Sequence, residues 1–208
     1  MLLESKFFKN TGRFFVLFAC FWGFWVTKKV IGEHYINTAD YISHIAKEIA
    51  IAENIKAGRG IFTFFPQNLG IPFLYMYQPL FHLLVVVVHF LSYQKIPVLL
   101  AHNIIAVLCF SLYPLSIYYC LRKFDFPYFL CGLGALFSIT PISGWGHTID
   151  AFFRTGIVTR SIAGFLFPFF VGKLYELITK NKRHFFVIIL FALLILSHPL
   201  YIFFSIYT

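Results

Sequence analysis

The sequence predicts an all-α fold, a polytopic transmembrane helix bundle, from its composition, its apolar stretches and the positions of its basic residues. The 208 residues are 60% hydrophobic and 12% charged, whereas soluble domains carry about 45–50% apolar and about 25% charged residues. This apolar surface is too large for one buried core, so most of it must face a lipid bilayer.

Six apolar stretches divide the chain, and a helix of about 17–25 apolar residues is long enough to cross the hydrocarbon. They fall at about 14–31, 73–92, 97–121, 127–143, 161–178 and 184–206. The prediction is therefore one membrane domain, 1–208, with five to six apolar helices. Because the last stretch runs almost to Thr208 without a charged flank, we expect the N-terminal part of a longer protein.

The formal net charge of +9 does not indicate a nucleic-acid partner. A nucleic-acid domain gathers its Lys and Arg on one face, but here they form short clusters between apolar runs. Such clusters are typical of membrane flanks, where cations bias a loop to the cytoplasm. The predicted partner is the lipid bilayer, with no nucleic acid.

The basic clusters also predict the topology, with the N-terminus in the cytoplasm. Six strict crossings would place the basic turns at 122–123 and 180–183 outside, against the positive-inside rule. If 73–92 does not cross, both turns fall inside, and segments 32–96 and 144–160 fall outside. We therefore predict five crossings, at 14–31, 97–121, 127–143, 161–178 and 184–206, with 73–92 on the outer leaflet.

The long first external loop is predicted to hold an amphipathic helix from about Ala39 to Ala57, capped by Asn37 or Thr38 and ended by Gly58. Its apolar face carries Ile42, Ile45, Ile49 and Ala52, and its polar residues are Lys47, Glu48, Glu53 and Lys56. This pattern is typical of a helix that lies along a membrane surface.

The stretch 73–92 has a polar stripe made of Gln78, His82, His89 and Ser92, whose spacing places them on one face of a helix. The stripe favours a helix that does not cross the bilayer. The alternative is an ordinary transmembrane helix with a packed polar edge.

Asp40 and His44 are the candidate catalytic residues. Asp40 lies in the first turn of the predicted helix, where it could act as a general base or bind a divalent metal. The helix dipole alone also explains an acid at this position. His44 lies one turn later and could orient Asp40 or share a ligand.

The second external loop supplies four candidate substrate-binding residues: His147, Asp150, Arg154 and Arg160. Arg154 and Arg160 suit a lipid phosphate, since guanidinium binds phosphate oxygens in a fork. The plainer interpretations are an Asp150–Arg154 ion pair and an Arg160 that snorkels to the interface. For His102 and His198, which lie in apolar stretches, a neutral, hydrogen-bonded imidazole is the expectation.

Several short runs resemble the first external loop of GT-C-type membrane glycosyltransferases, and the most similar branch is the membrane proteins described as "6-pyruvoyl-tetrahydropterin synthase-related". The resemblance covers about residues 30–175. It is carried by Ala39-Asp40-Tyr-Ile-Ser43-His44, Gly58, Pro66, Gly70-Ile-Pro72, Tyr77-Gln-Pro79-Leu80 and the run from Asp150 to Pro168.

The resemblance implies transfer of a sugar from a polyprenyl-phosphate or -diphosphate donor on the non-cytoplasmic side. Asp40 would be the base or a ligand for Mg²⁺ or Mn²⁺, and Asp150 would be a second acidic site. Two other functions fit the same residues: a membrane transporter or lipid-handling protein, and a non-catalytic membrane fragment.

Overall fold

The computed structural model describes residues 5–31, 38–61, 78–140, 152–153, 158–180, 185–198 and 203. Within these ranges the chain forms α-helices and one 3-10 turn, without strands, which confirms the predicted all-α class. The helices are α1 (Lys6–Thr27), α2 (Ala39–Lys56), α3 (Leu80–Leu91), α4 (Val98–Lys123), α5 (Tyr128–Phe137), α6 (Val158–Lys180) and α7 (Phe185–Ser197), and the 3-10 turn is Lys28–Val30.

Two helices of the described chain are long and apolar enough to cross a membrane. They are α4, with 26 residues and a mean hydropathy of 2.0, and the Arg160–Lys180 part of α6, with 21 residues and 1.4. Three apolar helices are shorter: α3, α5 and α7 have 12, 10 and 13 residues. The predicted bundle of five to six spans is therefore supported for two helices and stays a prediction for the others.

Local sequence explains where the helices begin and end. The Thr38 side chain accepts a hydrogen bond from the Tyr41 backbone N–H at 3.3 Å, so it caps α2 as expected. Gly58 follows the end of α2 with a φ of 68°, a backbone conformation that glycine adopts without strain. Pro79, Pro97 and Pro127 directly precede α3, α4 and α5, where the missing N–H of proline costs little.

Helix α4 is the centre of the bundle, because α1, α3, α5 and α6 all pack against it. Helix α2 lies against α3 and α4. His82 of α3 contacts Glu48 of α2, and Val86 packs with Ile51 further along both helices, so α2 and α3 run in the same direction. At about 1.5 Å per residue the twelve residues of α3 extend about 18 Å, which is short of a hydrocarbon core of about 30 Å.

One end of the bundle collects basic side chains, and we call it the basic end. Lys123 at the end of α4 pairs with Glu176 of α6 at 2.8 Å, and Lys180 pairs with Asp125 at 2.8 Å. Arg122, just before the turn that leads into α5, lies over the Tyr128 ring at 3.6 Å. The turn at 122–123 and Lys180, which the positive-inside rule assigns to one compartment, thus belong to the same end of the molecule.

The opposite end carries α2 and α3, and residues 152–153 pack between the middle of α4 and Lys29. Tyr41 of α2 donates a hydrogen bond to Asn103 near the start of α4. The Phe152 ring lies 5.1 Å from that of Phe110, and Lys29 lies over the Phe153 ring at 4.3 Å. The described parts of both predicted external segments therefore lie on the same side of the bundle, away from the basic end.

Helices α1 and α5 approach each other through two glycines. A Cβ atom on Gly132 would lie 2.6 Å from the Cα of Gly12, and one on Gly12 would overlap the Tyr128 carbonyl. Small residues allow such close backbone contact between helices in a membrane, where packing replaces the hydrophobic effect as the driving force.

We expect Gly12→Ala to destabilise the protein by about 1–3 kcal/mol, the range for overpacking, because the added methyl group meets backbone atoms that cannot rotate away. Gly23→Ala is the matched control, since its Cβ would lie an ordinary 3.4 Å from Ser111. Thermal unfolding in detergent measures both variants. Equal Tm values for them would contradict the close α1–α5 contact.

Candidate functional site

Asp40 lies in the first turn of α2, and its side chain is exposed to solvent. The N-terminal end of the helix dipole favours a negative charge there. Burial lowers the pKa of Lys47, and the negative charges of Asp40 and Glu48 partly offset this shift. The carboxylate is thus accessible, as a base or a metal ligand must be.

His44 points into the protein and is almost fully buried. Its Nδ1 atom lies 3.4 Å from Nε2 of His82, and the two ring centroids are 5.1 Å apart. The predicted roles of His44, to orient Asp40 or to share a ligand with it, stay predictions. The contacts just described lead inward, from α2 to α3.

The inward contacts end on a buried carboxylate, and we call Glu48, His44, His82 and His102 the Glu48 network. Glu48 is fully buried, with Oε1 at 2.9 Å from Nδ1 of His82 and Oε2 at 2.8 Å from Nδ1 of His102. The network joins α2, α3 and α4. His102 is hydrogen-bonded, as the sequence led us to expect.

The outer face of α2 carries an apolar patch between the exposed Asp40 and Glu53, whereas its buried face contributes to the Glu48 network. Ile42 and Ile49 are 49% and 42% exposed. A groove of about 360 Å³ lies here, lined by Ile42, Ile45, Ala46, Ile49 and Leu99. An exposed apolar patch on a helix that also exposes charged residues fits a membrane surface better than bulk water.

Burial sets the charge state of the two titratable residues that α2 contributes to the network. Burial raises the pKa of Glu48 to about 7, although the hydrogen bond from His82 opposes this shift. Burial also lowers the pKa of His44 to about 3, and the nearby Lys47, His102 and His198 add to this shift. His44 is therefore neutral at physiological pH, while Glu48 is close to its midpoint.

Arg160 lies in the first part of α6 and is half-buried. Among the described residues its buried Nε atom has no hydrogen-bond partner. Its charge acts on His198, which in turn lies close enough to His44 to oppose a positive charge there. Both His44 and Arg160 interact electrostatically with His198. These two residues, 116 positions apart in the sequence, therefore lie in the same part of the molecule.

Three predicted site residues, His147, Asp150 and Arg154, lie outside the described residues. The structure therefore describes Asp40, His44 and Arg160 of the predicted set. It brings His44 and Arg160 into one electrostatic neighbourhood, with Asp40 one turn before His44 on α2.

Glu48, His82 and His102 are not among the site residues predicted from the sequence. The sequence pattern places Glu48 with the polar residues of α2, whereas the structure shows that it is buried. One signal was present: Glu48 follows His44 by four residues, which places both on one helical face. The other was the occurrence of histidines in apolar stretches, since ionisable residues in membrane segments are often functional.

A metal ion has no preformed site in the described part of the chain, where no group of three or more His, Cys, Asp and Glu side chains is arranged to hold one. In the Glu48 network both Nδ1 atoms of His82 and His102 face the carboxylate, which is a hydrogen-bonding arrangement. The predicted role of Asp40 as a ligand for Mg²⁺ or Mn²⁺ stays a prediction.

Comparison with known proteins gives no relative: the chain matches no protein-family model, no curated protein and no solved structure. The GT-C resemblance therefore depends on the sequence runs described above, and the function has to be inferred from the side chains themselves.

We expect Glu48→Gln to change how stability depends on pH. The native pKa of Glu48 is raised from 4.5 to about 7, so the native state holds a proton that the unfolded state releases near pH 4.5. The stabilising contribution of protonated Glu48 is complete below 4.5 and is lost as the pH rises through about 7. Between pH 4.5 and about 7, the free energy of unfolding of the native protein should therefore fall relative to that of Glu48→Gln.

Tm measured from acidic to mildly alkaline pH in detergent tests this expectation. Glu53→Gln, which alters an exposed glutamate of the same helix, should follow the native protein throughout. A Tm difference between the native protein and Glu48→Gln that stays constant with pH would show that Glu48 does not titrate in this window.

Proposed function

We propose that the chain is the N-terminal part of a GT-C-like glycosyltransferase, which transfers a sugar from a polyprenyl-phosphate-linked donor on the non-cytoplasmic side of a membrane. One observation supports this most directly. At the end opposite the basic end, the exposed Asp40 lies one helical turn before the buried His44, and both His44 and the half-buried Arg160 interact electrostatically with His198.

The carboxylate of Asp40 is the proposed base. Transfer of a sugar to a hydroxyl requires a group that accepts the hydroxyl proton and can reach the acceptor. Asp40 is exposed and carried on a helix, so the backbone fixes its position while its oxygens stay accessible. The same exposure would allow Asp40 to bind a divalent metal that contacts the donor phosphate.

Arg160 is the proposed phosphate-binding residue. A half-buried guanidinium whose Nε lacks a protein partner among the described residues can donate that hydrogen bond to a ligand. Guanidinium binds phosphate oxygens through two parallel hydrogen bonds, and it remains charged at every physiological pH. The half-buried Lys47 adds positive charge in the same neighbourhood, because it also acts on His44.

The apolar groove on α2 would hold the polyprenyl chain. Its five lining residues are apolar, and Leu99 belongs to α4, the longest candidate span. A lipid could therefore keep its chain against α2 and α4 while its phosphate reaches the polar residues near the start of α2. This arrangement requires that α2 lies at the membrane surface.

We further propose the five-crossing topology with a cytoplasmic N-terminus. It is supported by the ion pairs that hold the basic turns at one end of the bundle, and by the short length of α3. In this arrangement the basic end faces the cytoplasm, and α2 and α3 lie on the opposite side.

The second candidate is a membrane transporter, and the Glu48 network is the observation that favours it. Buried titratable groups on facing helices are common along the proton and ion pathways of transporters. The two candidates differ in what Asp40 does, because only the transferase requires its carboxylate to accept a proton from a hydroxyl.

We expect Asp40→Asn to abolish sugar transfer, with a loss of at least about 100-fold for removal of a general base. Donor binding should stay unchanged if Asp40 is the base and weaken if Asp40 is a metal ligand. Transfer is measured in proteoliposomes with radiolabelled polyprenyl-phosphate sugars, and Glu53→Gln is the control. Transfer at the native rate by Asp40→Asn would exclude Asp40 as the base. The transporter would be favoured if the native protein showed no sugar transfer and Asp40→Asn lost solute uptake.

We expect Arg160→Lys to weaken the binding of a short-chain polyprenyl phosphate about tenfold, because an ammonium cannot replace a bidentate guanidinium. Arg59→Lys, an exposed position after α2, should bind as the native protein does. Quenching of tryptophan fluorescence measures both. If the uncharged polyprenol binds equally well, or if Arg160→Lys has no effect, Arg160 does not bind the phosphate.

A further inference from the structure

We propose that His44, His82 and Glu48 form a proton wire, with Glu48 as its buried proton-binding end and His44 as its other end. The wire is a property of the helix packing and stands apart from the proposed sugar transfer. Its ligand is a proton, and its parts come from two helices, α2 and α3.

The hydrogen-bond pattern fixes the tautomers of the two imidazoles when Glu48 is ionised. A carboxylate only accepts hydrogen bonds, so Nδ1 of His82, at 2.9 Å from Oε1, must carry the hydrogen. Nε2 of His82 then has a lone pair, and Nδ1 of His44, at 3.4 Å, must be the donor. This leaves a lone pair on Nε2 of His44.

A proton that binds Nε2 of His44 can move inward without leaving a charged imidazole. The Nδ1 hydrogen of His44 transfers to Nε2 of His82, and the Nδ1 hydrogen of His82 transfers to Oε1 of Glu48. Each imidazole breaks one N–H bond and forms another, and the carboxylate gains one O–H bond. The direction of both hydrogen bonds is then reversed, and all three groups are neutral.

The surroundings favour this neutral relay over a stored imidazolium. Burial opposes a positive charge on His44, and so do Lys47, His102 and His198. Arg160 adds positive charge beside His198, whereas Asp40 is exposed at the start of α2. A proton can therefore rest on Glu48 more easily than on His44.

His102 explains why the wire ends at Glu48. Its Nδ1 atom lies 2.8 Å from Oε2, so it holds the second carboxylate oxygen from α4. Its Nε2 atom is buried and has no hydrogen-bond partner among the described residues. No described acceptor therefore continues the wire beyond His102, and the proton must leave the way it entered.

If the proposed function holds, Glu48 would store the proton of one transfer and return it through His44. The acceptor oxygen forms its bond to the sugar as the sugar–phosphate bond breaks, and the hydroxyl proton passes to Asp40. From there it can enter the wire at His44, one helical turn away. This use rests on the proposed function, but the existence of the wire does not.

Nitrogen-15 NMR of histidine-labelled protein in lipid vesicles tests the wire directly. We expect His44 and His82 to carry hydrogen on Nδ1 above about pH 7 and on Nε2 at lower pH, with neither doubly protonated. Infrared spectra should show a protonated carboxyl group that appears in the same range and is absent in Glu48→Gln. The exposed-site variant Glu53→Gln should keep that band.

Two variants separate the wire from its alternatives. In His82→Asn the Glu48 band should persist while the tautomer of His44 no longer switches with pH; if this variant does not fold, the spectra of the native protein and Glu48→Gln decide. A doubly protonated His44 or His82 beside an ionised Glu48 would overturn the proposal, as would tautomers that do not change. Asp40→Asn should leave the switch intact, so failure of sugar transfer and failure of the wire are distinguishable.

Discussion

The carboxylate of Glu48 is held between two imidazoles in a place from which water is excluded, and the arrangement of three helices depends on this contact. A buried carboxylate is costly unless its oxygens are hydrogen-bonded. His82 and His102 satisfy them from α3 and α4, and Glu48 itself belongs to α2. The three helices therefore have one favourable arrangement, and this arrangement places Asp40 at the outer end of α2.

The proposed catalytic side chains and the Glu48 network lie on the same helix but serve different needs. Asp40 must be accessible and is exposed, whereas Glu48 must hold three helices together and is buried. His44 lies between them, one turn from each. This spacing explains how α2, which is not one of the two long candidate spans, can carry both a solvent-exposed acid and buried polar side chains.

Much of the helix pattern could be predicted from the sequence, because it depends on local signals. Thr38 and Gly58 marked the ends of α2 to within a residue, and the apolar runs marked α4 and α6. The burial of Glu48 could not be predicted. A glutamate among lysines on an amphipathic helix is usually solvated, and only the tertiary contacts of α3 and α4 show that its partners are histidines 34 and 54 residues away.

The ion pair between Lys123 and Glu176 has a consequence for how the molecule can move. It ties α4 to α6 at the basic end, where Glu176 is nearly buried and Lys173 provides a second bond at 3.2 Å. The two longest apolar helices thus behave as one rigid frame. A displacement of α2 and α3, which lie at the opposite end, would leave this tie between α4 and α6 intact.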